Sequence, residues 1–223
     1  MNPKNEKAYS NRANAKVSLR DFNGAIVDCN KAISLNQSYA AAYNNRALAF
    51  NGLKKYNEAL SDFTKSIEFN EKAFPKAQNC NNRGFIKEKL KDYDGAIDDY
   101  TKAIALYPDF ALAYNNRGFL MYNRQMFTKA ITDYDLALKI NPNYAVAYNN
   151  RGLAKAGINK PDEAIKDYDK AIEINPNQGL FYFNRAISKN KKMELKESGC
   201  NDLKIAIKLG YEEANRELMI SCK

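Results

Sequence analysis

The strongest constraint on the fold is a short motif that recurs at an almost fixed interval. Residues 42–46, Ala-Tyr-Asn-Asn-Arg, recur at 113–117 and 147–151, with weaker copies elsewhere. Four of the five intervals between copies are 34 residues and the other is 37, as the six arginines show: Arg12, Arg46, Arg83, Arg117, Arg151 and Arg185. A period of this length indicates repeat units that stack because one unit cannot bury its own apolar face.

A second motif follows each copy of the first and has the spacing of a helix. In the third unit its apolar residues recur every three or four positions: Ala96, Ile97, Tyr100, Ala103 and Ile104. This spacing places them on one helical face. Most units close with a turn such as residues 141–143, Asn-Pro-Asn, where proline stops a helix. Each unit is therefore predicted to be a pair of helices.

The repeat resembles the tetratricopeptide repeat family. The family pattern is an aromatic residue, a small residue, Ala, an aromatic residue, Ala and Pro, and in the fifth unit these slots hold Tyr148, Gly152, Ala164, Tyr168, Ala171 and Pro176. The resemblance covers six units and implies an all-α fold, a right-handed superhelical solenoid of antiparallel helix pairs with a concave groove. We predict one array over 1–223, with repeats at about 5–38, 39–75, 76–109, 110–143, 144–177 and 178–210 and a capping helix at 211–223. The three extra residues within 70–79 should lengthen a helix or loosen a turn.

Composition argues against catalysis and against a bound cofactor. The 223 residues include no histidine, and neither a Gly-rich phosphate loop nor a nucleophile elbow is present. We therefore expect no catalytic residue, no metal site and no cofactor. The four cysteines form no C-x-x-C pair, and reduced thiols are expected. Cys29 and Cys80 occupy slots that hold aromatic residues in other repeats, so they are predicted to be small core residues.

The net charge is +9, from 35 Lys and Arg against 26 Asp and Glu. This charge weakly favours an acidic protein or peptide ligand. The lysines are spread along the chain, and the cluster at 189–192 lacks interleaved aromatic residues, so nucleic-acid binding is not expected. No apolar run approaches the roughly 18 residues of a membrane span, and no apolar stretch follows Met1. A cytoplasmic chain without a signal peptide is therefore expected.

Each repeat arginine has an aspartate in the helix that follows it. The predicted partners are Asp28, Asp62, Asp99, Asp133, Asp167 and, in the sixth unit, Asp202. Two interpretations are open: a row of anion-binding arginines, or internal ion pairs that fix how the helices dock. The one-to-one matching favours structural ion pairs, which are the usual condition for an arginine near a core.

The residue before each arginine is asparagine in all six units: Asn11, Asn45, Asn82, Asn116, Asn150 and Asn184. We call these residues the asparagine lane. Three positions further on lies an apolar lane, formed by Leu48, Phe85, Phe119, Leu153 and Ile187. Because a carboxamide both donates and accepts, such a row is suited to binding the backbone of an extended peptide. The row resembles the asparagine ladder of the O-linked N-acetylglucosamine transferase repeat domain. The alternative is that each asparagine bonds locally to the neighbouring helix.

A second comparison concerns the carboxylate clamp of chaperone-binding repeat proteins. Lys7, Asn11 and Asn45 match its first three positions, but Gln78 and Asn82 stand where its last two cations are expected. Capture of a chaperone carboxylate is therefore not expected. Two functions remain: a scaffold that binds an extended peptide in the concave groove, and a self-assembling array that forms a homo-oligomer.

Overall fold

The computed structural model describes residues 5–192 and 195–222, and this part of the chain contains helices and no strand. The helices are α1 (Glu6–Ser18), α2 (Phe22–Leu35), α3 (Ala40–Gly52), α4 (Tyr56–Phe69), α5 (Ala73–Lys89), α6 (Tyr93–Leu106), α7 (Ala111–Asn123), α8 (Phe127–Ile140), α9 (Ala145–Gly157), α10 (Pro161–Ile174), α11 (Gly179–Asn190), α12 (Lys196–Lys208) and α13 (Glu213–Ser221). The predicted all-α fold class is confirmed. None of the described helices combines the length and the apolar character that crossing a bilayer requires.

Two compact units divide the chain, one ending at Ala113 and one beginning at Tyr114. From α1 to α12, odd-numbered and even-numbered helices alternate as the first and second members of the repeat pairs. We call them A helices and B helices. In the first unit each helix from α1 to α6 packs against the next, and in the second unit the same holds from α8 to α13. The A helices α1 and α3 also pack together, as do α9 and α11.

The A helices α1, α3, α5, α7 and α9 end in a tight reversal, which four of the five residues at that position do not favour. Lys54, just after α3, has φ of 59°, and the next amide donates from Lys55 N to Phe50 O at 2.9 Å. This is the left-handed C-terminal cap that glycine or asparagine usually supplies. The same positive φ is found at Arg20, Lys91, Gln125 and Asn159. The stacking of the two helices therefore holds lysine, arginine and glutamine in a conformation that an isolated chain would avoid.

The two helices of a repeat meet where a small residue faces a larger one. Gly84 faces Tyr100, and a Cβ at Gly84 would lie only 2.8 Å from the Tyr100 ring. Gly118 and Gly152 face tyrosines in the same way. Where the facing residue is smaller than tyrosine, the small residue is alanine, as for Ala47 packed with Phe63. Close approach of the backbones at tyrosine-containing pairs thus requires glycine, which offsets its poor helix propensity.

The three-residue insertion lengthens a helix, which was one of the two outcomes expected from the sequence. Helix α5 has 17 residues, whereas α1, α3, α7 and α9 have 13. Its additional first turn carries Phe74, whose ring centroid lies 4.7 Å from that of Tyr107 and 5.9 Å from that of Phe110. The insertion therefore adds an aromatic cluster beside the start of α7.

The expectation of four reduced thiols is wrong for one pair. Cys200 and Cys222 form a disulfide, with their Cα atoms 5.8 Å apart. The cause is that α13 packs back on α12, burying Ala214 against Leu203 and bringing residues 22 positions apart together. Cys29 and Cys80 are free and buried, as predicted. Of the predicted capping helix, Lys223 lies outside the described residues, as do residues 1–4 of the array and 193–194 of the sixth repeat.

Candidate functional site

The asparagine lane lies on the A helices, and its members differ in exposure. In the first unit Asn11 is exposed, Asn82 is half-buried and Asn45 is only 7% exposed. In the second unit Asn116 and Asn150 are half-buried, and Asn184 is 7% exposed. The same residue type at the same repeat position therefore has three different degrees of access to a ligand.

Three lane asparagines donate a hydrogen bond to the preceding A helix. In each case the donor is Nδ2 and the acceptor lies at the position before the lane asparagine of the preceding repeat. The bonds run from Asn45 to the Ser10 carbonyl oxygen at 3.0 Å, from Asn150 to Asn115 Oδ1 at 3.1 Å, and from Asn184 to Asn149 Oδ1 at 2.7 Å. These three amide groups contribute to helix stacking, so their –NH2 groups are already engaged.

Asn82 differs from these three residues. Its carboxamide makes no hydrogen bond to any other described residue, and neither does that of Gln78, one turn earlier on α5. Both side chains line a cavity of about 360 Å³ between α3 and α5. Asn44 of α3 faces the same cavity and donates from Nδ2 to Asn45 Oδ1 at 3.3 Å. Unbonded carboxamides thus meet a space large enough for part of a ligand.

The apolar wall of this cavity combines one lane residue with the start of α7. Leu48 lies on α3, Phe110 and Leu112 flank the beginning of α7, and Pro75 lies in the added turn of α5. Leu112 is 41% exposed. None of the eleven lining residues is charged: Ala41, Asn44, Leu48, Asn70, Pro75, Gln78, Asn79, Asn81, Asn82, Phe110 and Leu112. The cavity is therefore a neutral site on a strongly basic chain.

The apolar lane is most open at its two phenylalanines. Phe85 is 39% exposed and Phe119 is 42% exposed, whereas Leu48, Leu153 and Ile187 are half-buried. Lys89 Nζ lies 4.8 Å from the centre of the Phe85 ring, a cation–π contact. Exposed aromatic rings on a regular helix face are suitable anchors for apolar side chains of a partner.

Each repeat arginine lies against the aspartate expected for it. Nε and Nη2 of the arginine donate to the two carboxylate oxygens, at 2.8 and 2.6 Å for Arg83 and Asp99. The aspartate side chains are at most 7% exposed. The six pairs are Arg12–Asp28, Arg46–Asp62, Arg83–Asp99, Arg117–Asp133, Arg151–Asp167 and Arg185–Asp202.

Several pairs have further charged neighbours that the sequence argument missed. A lysine one turn after the arginine binds the same aspartate in four units: Lys16, Lys87, Lys155 and Lys189. Hydrogen bonding from Arg12, followed by Lys16, lowers the pKa of Asp28 despite burial of its carboxyl group. The recurring lysine four residues after the arginine was the available sequence signal.

The cavity-lining residues Asn44, Gln78, Phe110 and Leu112 were also outside the predicted binding set. The signals for them were the insertion within 70–79 and the uncharged residues at the clamp positions. Neither signal predicts a cavity unless the position of α5 is known, because the period of a repeat does not specify the distance between two helices.

Matches to the tetratricopeptide repeat cover residues 6–39, 40–72, 77–110, 111–144 and 145–178. These matches extend over more than half of the chain, and it belongs to the tetratricopeptide repeat family. Repeats of this family support a role as a protein-interaction scaffold. A search of curated proteins finds no match to the chain.

Solved structures with a similar fold include several repeat proteins. MamA is 26% identical, with a TM-score of 0.65 over 74% of this chain and 94% of that one. YrrB, described as a TPR protein with an unusual peptide-binding site, is 24% identical, with a TM-score of 0.63 over 81% of this chain and 91% of that one. PilF of Pseudomonas aeruginosa is 18% identical, with a TM-score of 0.79 over 95% of this chain and 97% of that one. Because the sequence identities to YrrB and PilF are 24% and 18%, these two similarities show a shared fold and nothing more.

Proposed function

We propose that the chain is a non-catalytic scaffold that binds an extended peptide segment on the A-helix face. The observation that carries this proposal is the pair of unbonded carboxamides, Gln78 and Asn82, beside the apolar residues of the cavity. A carboxamide offers one acceptor and one –NH2 group, which match the N–H and C=O of a peptide bond. The apolar lane would take side chains of the same segment. Asn11 and Asn116 extend the proposed contact within their own units.

The asparagines that already stack helices have a second role in this proposal. Asn45, Asn150 and Asn184 each already donate from Nδ2 internally, and the Oδ1 atoms of Asn45 and Asn150 accept from the preceding asparagine, so fewer of their polar groups remain for a ligand. We expect them to contribute more to stability than to affinity. Asn82 should show the reverse, because removing it breaks no internal bond. This difference separates a binding lane from a purely structural one.

The test begins with selection of displayed random peptides on the full-length chain, followed by titration of the strongest peptide by fluorescence anisotropy. Asn82→Ala should weaken binding at least tenfold while leaving the melting temperature unchanged. Asn150→Ala is the matched control: it should lower stability by about 1 kcal/mol through loss of its bond to Asn115. If Asn82→Ala leaves affinity intact, or if no peptide is enriched, the peptide-binding proposal fails.

Self-assembly is the second candidate function, and exposed apolar residues favour it. Met219 and Ile220 on α13 are 65% and 63% exposed, and Leu19 and Val27 in the first repeat are 80% and 66% exposed. Paired with another copy, such residues would form a heterologous contact. Sedimentation velocity over a wide concentration range tests this function. A concentration-independent monomer excludes it, and an oligomer abolished by Met219→Ser/Ile220→Ser supports it.

A further inference from the structure

We infer that the cavity between α3 and α5 selects a peptide segment that carries no charge and that inserts one apolar side chain. The inference rests on the proposed function and adds the chemistry of the bound segment.

The cavity lies where two neighbouring A helices lack a stacking bond. In the first unit, α1 and α3 pack together, and Asn45 bridges them by donating to Ser10. The corresponding residues of α3 and α5 are Asn44 and Asn82, which both line the cavity and do not bond to each other. The bridge that joins α1 and α3 thus has no counterpart between α3 and α5, where the cavity lies. The extra turn of α5 accompanies this change, because its Pro75 forms part of the wall.

The residues that line the cavity carry no charge. No charged side chain is among the eleven residues that surround the cavity, although the chain has 35 basic and 26 acidic residues. A charged ligand group that entered would lose water without gaining a counter-ion, which is costly. The net charge of +9 attracts acidic partners at long range, but it supplies no cation at this site. At short range the cavity therefore discriminates against charge of either sign.

The size and the polar groups of the cavity suit a peptide segment. The volume of about 360 Å³ is near the lower end of the roughly 300–1,000 Å³ of ligand pockets, which suits part of a peptide. Gln78 and Asn82 would bond its backbone, while Leu48, Phe110 and Leu112 would contact its side chain. An extended segment with one aliphatic or aromatic residue between uncharged neighbours satisfies all of these groups.

The experiment uses random peptides displayed on phage and selected on the full-length chain, with four immobilised proteins. The first protein is the wild type. The second is Ala41→Arg, in which a long side chain fills the cavity from an exposed position. Val146→Arg is the matched control, because Val146 is 46% exposed and also lies five residues before a repeat arginine. Gln78→Lys/Asn82→Arg adds two cations. Circular dichroism melting verifies that each variant is folded.

The wild type should enrich uncharged segments with a central apolar residue. The strongest of these peptides should bind Ala41→Arg at least tenfold more weakly and Val146→Arg equally well. The variant with two added cations should instead enrich acidic peptides. Two results would overturn the inference and leave the proposed function standing. The enriched peptides could be charged and still lose affinity in Ala41→Arg, or the affinity of the enriched peptides could be insensitive to Ala41→Arg. No enrichment would overturn both, as would self-association abolished by Ala41→Arg, because a second copy would then occupy the cavity.

Discussion

Two ion pairs of the first unit, Arg46–Asp62 and Arg83–Asp99, differ chiefly in one charged neighbour and allow a quantitative test. Asp62 accepts from Arg46 Nε at 2.7 Å and Nη2 at 2.8 Å, and no second cation lies within 4.0 Å of it among the described residues. Asp99 accepts from Arg83 in the same way and also from Lys87 Nζ at 2.9 Å. Both aspartate side chains are at most 5% exposed. The lysine is thus the main difference between the two sites.

The magnitudes follow from what each substitution leaves behind. Arg46→Met leaves Asp62 buried without a counter-ion, which should cost about 3–5 kcal/mol. Arg83→Met leaves Asp99 paired with Lys87, so the cost should be that of lost charged hydrogen bonds, about 1–3 kcal/mol. We therefore expect Arg46→Met to be the more destabilising by about 2 kcal/mol.

Native-state hydrogen exchange is the suitable assay, because a repeat array need not unfold in one step. The free energies of opening of α3 and α4 and of α5 and α6 would be measured for each variant. A double-mutant cycle with Asp62→Asn isolates the coupling energy of the ion pair, because it subtracts the energies of other Arg46 contacts, such as that with the Tyr43 ring 5.5 Å away. Equal costs for Arg46→Met and Arg83→Met would refute the role of Lys87. A coupling energy within about 0.5 kcal/mol of zero would refute the ion pair as a stabilising unit.

Four further predictions concern stability. Gly84→Val should cost about 1–3 kcal/mol in urea unfolding, because its Cβ would meet the Tyr100 ring at 2.8 Å; an unchanged midpoint would show that the helices move apart freely. Lys54→Gly should stabilise by about 1 kcal/mol by relieving the positive φ, and a loss of stability would contradict the assigned cap. Dithiothreitol should speed amide exchange in α13 of the wild type but not of Cys200→Ser/Cys222→Ser, since the disulfide closes a loop between these residues. Burial and the bond to Glu88 raise the pKa of Tyr100, so the contribution of Tyr100 to stability should be constant below about pH 10 and fall above it as the unfolded phenol ionises; Tyr100→Phe should reduce the loss of stability above about pH 10.

The sequence predicts the helix pairs well because their determinants are local. The apolar spacing that ends at Ile104 corresponds to α6, and the small-residue slot at Gly152 faces the aromatic slot at Tyr168. It did not predict the disulfide, because Cys222 reaches Cys200 only through the return of α13 on α12. Contacts that depend on how an element folds back carry no fixed spacing in the sequence.

The candidate site was predicted less completely, for a related reason. All six lane asparagines are identical in sequence, yet Asn184 is bonded to Asn149 while Asn82 is unbonded. Asn184 reaches the preceding A helix, whereas Asn82 lines the cavity with Asn44 without bonding to it, and the repeat period does not distinguish these two arrangements. Knowledge of residue type at position 82 was therefore not sufficient to assign its role.

A repeat array with uniform stacking bonds would engage a donor of every lane carboxamide internally and leave fewer groups for a ligand. Here the bonds at Asn45 and Asn184 show that the lane can hold neighbouring A helices together, with acceptors on α1 and α9. The repeat that contains the three-residue insertion has no such bond at Asn82, and two carboxamides on α5, Gln78 and Asn82, line a neutral cavity. In our proposal the binding site lies at this local departure from the repeat, because the groups that would recognise a peptide are of the same type as those that stack the helices.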